Sequence, residues 1–177
     1  MMKWVVSLAM VLAIGAGAFF ALQGDGDARA EGHYQNALRL IEEGDTARAN
    51  IELRNVFQLN GFHRDARWTL ANLLEDEGRL EPAFSQLLRL VQQYPEDIEA
   101  QIMLLRLALD IGNWELIDDH YQTAQALAPN DPMVESARLL LEYRTASAAQ
   151  DFATATALAE EAASFVAQTP ELYALRT

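Results

Sequence analysis

Gly44, Gly78 and Gly112 stand 34 residues apart, and each occupies the same place in a longer pattern. Five residues on come Ala49, Ala83 and Ile117, and four further on a bulky apolar residue, Leu53, Leu87 and Tyr121. Each copy closes on a residue that stops helices: Gly61, Pro95 and Pro129. Between these stops alanine, leucine, glutamate and arginine dominate, and no alternating β-branched run suggests a strand. A fixed period of this length means one helical hairpin per period, and a hairpin with one apolar face cannot bury it alone. The chain is therefore predicted to be all-α, a solenoid of stacked helix–turn–helix units with a concave surface suited to holding a partner. The period does not say which partner.

Local signals fix where the helices begin and end. Gly44-Asp45-Thr46 supplies a left-handed stop followed by a cap for the next helix, and Gly78 and Gly112-Asn113 repeat the device. Pro82 falls in a first helical turn, where a missing N–H costs nothing, and Asp131-Pro132 opens a fourth copy the same way. Helices are predicted near 30–43, 46–59, 64–77, 80–93, 98–111, 114–127, 132–149 and 152–167. The fourth copy departs from the period. Its first helix is about one turn too long, and Ala148-Ala149-Gln150 stands where a glycine would mark the turn. After Pro170 the apolar Leu172, Tyr173 and Leu175 resemble the opening of another repeat. That segment is expected to act as a makeshift cap or an assembly surface, or to reflect a shortened reading frame.

Within each period the residues resemble the tetratricopeptide repeat: a large–small pair, a turn glycine, a small then a bulky residue, and a closing proline. The second copy carries Leu70-Ala71, Leu74, Gly78, Ala83, Leu87 and Pro95. The first has Asn36-Ala37, Leu40, Gly44, Ala49 and Leu53, with Gly61 in the proline's place. The third has Leu104-Leu105, Ala108, Gly112, Ile117, Tyr121 and Pro129, so Leu105 and Ile117 replace small residues. The resemblance implies a right-handed helical-hairpin solenoid over residues 30–177, with repeats near 30–63, 64–97, 98–131 and a divergent 132–169.

The formal charge is −13, and Lys3 is the only lysine. Such acidity argues against nucleic acid, whose binding needs clustered cations, and offers no polybasic patch to an anionic membrane. It serves solubility or attraction of basic partners. With no cysteine, disulfides, thiolate metal sites and cysteine nucleophiles are excluded.

Residues 4–22 form an apolar run without a charge. As a helix it would span about 28 Å, close to the hydrocarbon core of a bilayer. Lys3 precedes it and the acids of a flexible linker, 23–29, follow it, an order that places the N-terminus in the cytoplasm. Residues 1–22 are thus expected to be a membrane anchor, with the repeats periplasmic at a bacterial inner membrane. Cleavage after Ala16-Gly17-Ala18 or Ala28-Arg29-Ala30 would instead release the repeats to the periplasm. Ala9, Ala13 and Gly17 recur every four residues, a spacing that lets anchors pair but that alanine-rich segments also produce by chance.

No catalytic constellation stands out. His33, His63 and His120 fall in different repeats without helix-spaced partners, and no phosphate loop, serine elbow or zinc signature is present. The chain is expected to be a non-enzyme without cofactor or metal. The family resemblance implies that the first helix of each hairpin lines the groove. It places Tyr34, Leu38, Trp68, Asn72, Ile102, Arg106, Leu140 and Tyr143 on the protein-binding face. Tyr34 and Trp68 read equally as core residues packed between helices. Asn72 matches one element of the carboxylate clamp of some family members, but Trp68 and Ile102 stand where its basic residues would be, so no clamp is expected. Anchor, linker and repeats in this order resemble bacterial envelope scaffolds for assembly, secretion or polymer export. A periplasmic chaperone holding an extended client, as in cytochrome maturation, is the alternative. Self-association through the anchor or the C-terminal end is a further expectation.

Overall fold

The computed structural model describes residues 25–168, which are helix and turn throughout with no strand among them. The expected anchor, the Ala16–Ala18 cleavage site and the segment after Pro170 lie outside the described residues. No helix among the described residues is long and apolar enough to cross a membrane.

Among the described residues eight helices follow one another: α1 (25–42), α2 (Thr46–Leu59), α3 (Arg64–Asp76), α4 (Leu80–Gln93), α5 (Ile98–Ile111), α6 (Trp114–Leu127), α7 (Pro132–Ala148) and α8 (Phe152–Gln168). Seven of them start and stop within a residue of the sequence expectation. The exception is α1, which begins at residue 25, so most of the segment read as a flexible linker is helical. Ala28-Arg29-Ala30 lies inside this helix, and Ala30 is buried.

The three periodic glycines adopt left-handed conformations, with φ of 77°, 71° and 75° at Gly44, Gly78 and Gly112. At each turn the following N–H reaches back to the helix, Asp45 to Leu40, Arg79 to Leu74 and Asn113 to Ala108, the hydrogen bonding that ends a helix on a left-handed residue. The turn between α7 and α8 uses the same bond, from Asp151 N–H to Ala146 O, and places Gln150 at φ 58°. It is the one non-glycine with positive φ among the described residues. Helix starts are capped by Asp45, Asp97, Asn113, Asp131 and Asp151, whose side chains accept backbone N–H bonds. His63 caps α3 through Nδ1, which accepts from Ala66 N–H.

The chain divides into two compact units, one ending at Leu73 and one beginning at Leu74. The first has a core in which Ala30, Ala37, Ala49, Ala66 and Ala71 alternate with Leu40, Leu53, Val56 and Leu70. Small side chains there let helix backbones approach, and polar ties reinforce them: His33 to Glu52 at 2.5 Å and Asn60 to Asp27 at 3.0 Å. The second is built on larger aliphatics, with Leu87, Leu90, Leu104, Leu105, Leu107 and Ile117 fully buried. Ala83, the small residue of the second copy, is also fully buried. Within this unit α5 packs against α4, α6 and α7, α6 also packs against α7, and α7 against α8.

Candidate functional site

In the first unit, Tyr34 and Trp68 are half-buried, neither core nor free surface. The Tyr34 hydroxyl meets Thr69 Oγ1 at 3.3 Å, and its ring leans on His63 with centroids 4.9 Å apart. The Nδ1 of His63 is occupied by the α3 cap, which leaves Nε2 to donate to Glu31 Oε2 at 3.3 Å. The Arg64 guanidinium lies 5.5 Å from the Trp68 ring centroid. Asn72 donates its amide N–H to Trp68 O at 3.0 Å, a bond within its own helix. Leu38 is half-buried. Tyr34, Trp68 and Asn72 are thus each in contact with a neighbour within this unit.

The second unit gives its four expected residues a sharper setting. Ile102 and Arg106 lie one turn apart on α5, both half-buried. Arg106 is fully engaged: one guanidinium nitrogen is 2.5 Å from Glu75 Oε1 and another 3.9 Å from Asp110 Oδ2. Two carboxylates therefore face one cation, and the local balance is negative. Asp110 lies four residues from Arg106, a spacing visible in the sequence, whereas Glu75 is brought in by the fold.

Leu140 and Tyr143 are exposed on α7, at 37% and 42% of their surface. Together with Ser136 and Leu139 they form one wall of a cavity of about 410 Å³, whose other wall is Leu158, Ala159, Ala162 and Phe165 of α8. The lining is apolar apart from two hydroxyls. Beneath it Leu139, Ala146, Ala155 and Leu158 form the small core that joins α7 to α8, with Ala162 and Phe165 packed against it. The other flank of the pair is closed by Arg138, which holds Glu135 and Glu142 on its own helix and Glu161 on α8 at 2.7–2.9 Å. The Arg138 guanidinium keeps the Glu135 carboxyl below the usual carboxylate range, through its hydrogen bonds first and its charge second. Sequence reasoning missed the α8 wall, although Leu158, Ala162 and Phe165 recur at helical spacing.

His120 on α6 is half-buried. Gln101 donates its amide to Pro95 O at 2.9 Å, so its Oε1 accepts from His120 Nδ1–H at 3.3 Å. Burial lowers the His120 pKa, with the Asp119 charge opposing it. Among the described residues no group of three or more His, Asp or Glu side chains could hold a metal ion.

Residues 64–107 match the tetratricopeptide repeat family. No curated protein sequence gives a significant match. Solved structures share the fold at low identity. MamA is 13% identical over 85% of this chain and 85% of its own, with a TM-score of 0.59. The tetratricopeptide domain of Arabidopsis OM64 is 11% identical over 64% of this chain and 93% of its own, with a TM-score of 0.54. PcrH from Pseudomonas aeruginosa is 16% identical over 75% and 93%, with a TM-score of 0.51. Residues 64–107 thus carry a tetratricopeptide repeat, and the chain shares the helical-hairpin fold of these solved structures.

Proposed function

We propose that this chain is a non-catalytic protein-binding scaffold whose repeats lie outside the cytoplasm and bring together components of a bacterial envelope machine for assembly, secretion or polymer export. The observation that carries the binding reading is the apolar cavity between α7 and α8, bordered by the exposed Leu140 and Tyr143. Exposed aromatic and leucine side chains around a pocket of this size are what a partner's anchoring residue buries. A repeat fold supports the reading further, since its stacked hairpins present side chains from successive helices along one face. The extracytoplasmic placement is supported by the uncharged run 4–22 with Lys3 before it and acids after it.

Two experiments test this. Crosslinking in intact cells, followed by purification from membranes and mass spectrometry, should recover the same few partners in stable stoichiometry. Recovery of a changing set of unfolded polypeptides would replace the scaffold with a chaperone that holds clients. For placement, a phosphatase fused to the C-terminus should be active outside the cytoplasm; an inactive phosphatase would overturn it.

A further inference from the structure

The third hairpin is covered by the helix that follows it, since α7 packs against both α5 and α6. Tyr121 and Ala124 of α6 are buried, and the charges of Arg138, Glu142 and Glu135 on α7 reach the Tyr121 hydroxyl. The fourth hairpin repeats this plan one step on. Its second helix opens at Phe152, 38 residues after Trp114 opens α6, which sets Ala159 and Ala162 in the places of Tyr121 and Ala124. Ala159 is exposed and Ala162 half-buried, and both line the cavity. By this register the cavity corresponds to ground that α7 covers on the third hairpin.

The same 38-residue step continues beyond α8, in residues outside the described ones. Pro170, Leu172, Leu175 and Arg176 fall in the places of Pro132, Val134, Ala137 and Arg138. Pro132 opens α7, and Val134 and Ala137 are its buried residues outside the small core shared with α8. We propose that residues 170–177 fold back across the cavity between α7 and α8, with Leu172 and Leu175 on its walls, so that a partner reaches Leu140 and Tyr143 only by displacing them. The displacement rests on the protein-binding reading; the contact within the chain does not.

Reach permits the contact. α8 ends at Gln168, three residues past Phe165 and ten past Leu158. At about 1.5 Å per residue these two lie roughly 5 and 15 Å back along the helix. An extended chain advances roughly 3.3 Å per residue, so Leu172 can travel about 13 Å from the helix end and Leu175 about 23 Å. Pro170 has no N–H with which to extend α8, at the point where the chain has to reverse. Burial favours the contact too. Leucines left in water beside an uncovered apolar cavity keep two carbon surfaces hydrated, and bringing them together removes both from solvent. A short tether also holds the segment at an effective concentration of about millimolar, an advantage that a free competitor lacks.

The test uses the purified full chain with a photoreactive phenylalanine analogue at Tyr143 or, separately, at Ala159. Irradiation should link either position to residues 172–177 of the same molecule, located by mass spectrometry of a product that migrates as a monomer. Leu172→Asp combined with Leu175→Asp should lose most of that link. In intact cells the same double variant should raise partner capture at Tyr143. No link to 172–177, or a link that persists in the double variant, would overturn the contact. So would a link found only in crosslinked dimers, which would assign the cavity to a second copy. Unchanged or lower partner capture in the double variant would overturn the displacement. The two readings fail separately: an internal link with no captured partner would sink the binding reading alone, and a captured partner without the internal link would sink this contact alone.

Discussion

The third and fourth hairpins are built to the same plan and finished differently. In α5–α6 the second helix is held from two sides, by α5 and α7, and buries Ile117, Tyr121 and Ala124. In α7–α8 the second helix packs on α7 and buries Ala155 and Leu158. The third turn rests on Gly112, which meets no steric cost at positive φ, whereas the fourth forces Gln150 into that conformation. The fourth hairpin carries the apolar cavity between its two helices.

Core truncation should separate them most. Leu104→Ala removes a fully buried side chain from the third hairpin and should cost about 2–5 kcal/mol in chemical denaturation. Leu158→Ala, beside a cavity already open, should fall at or below the bottom of that range, about 2 kcal/mol. Equal losses would mean that the fourth hairpin is packed as tightly as the third.

Adding volume should then reverse the order. Ala124→Phe forces a ring between α5, α6 and α7, where Ala124 is 1% exposed, and should destabilise by about 1–3 kcal/mol. Ala162→Phe projects into the cavity and should leave the melting midpoint unchanged or raise it. Destabilisation by Ala162→Phe as large as that by Ala124→Phe would show that the cavity cannot receive a side chain.

Acidification should open the hairpins in sequence. The folded pKa of His120 lies below the ordinary 6.5, first through burial. The stability it contributes is therefore present above the unfolded pKa and is lost as pH falls through the folded value. Glu135 is depressed below 4.5, so its contribution is lost only as pH falls under the carboxylate range. Hydrogen exchange should show α5–α6 amides weakening as pH drops below 6.5, before α7–α8 amides respond. His120→Gln should abolish the earlier phase. An unchanged early phase in that variant would assign it to another group.

The turns give the smallest effect. Gln150→Gly should stabilise by about 0.5–1 kcal/mol, because relief of the left-handed strain exceeds glycine's added unfolded-state entropy. Gly112→Ala should shift stability the other way, both read as changes in denaturation midpoint.

The helix ends were legible because each depends on neighbours in sequence: a left-handed glycine, a capping acid, a proline in the first turn. The same locality explains the misses. Asp25, Gly26 and Asp27 look like a linker, yet Asn60 at the end of α2 donates to Asp27 across 33 residues, which no local pattern reveals. Gln150 carries no sequence mark of positive φ, since its conformation is set by the helices it joins. Arg106 was expected on the groove face, and its pairing with Glu75 arises from chain brought close in space. Leu140 and Tyr143 were placed on the expected face. Their cavity was not foreseen, because its other wall is brought in by the packing of α8 on α7.

The central claim is that the fourth hairpin is a binding face, and crosslinking from within the cavity tests it most directly. A photoreactive phenylalanine analogue at Tyr143 should capture a discrete partner in intact cells, and the same analogue at the exposed Gln122 of α6 should not. The captured partner should be lost when the cavity is filled by Ala162→Phe. Equal capture at both positions, or capture that survives the filled cavity, would contradict the account.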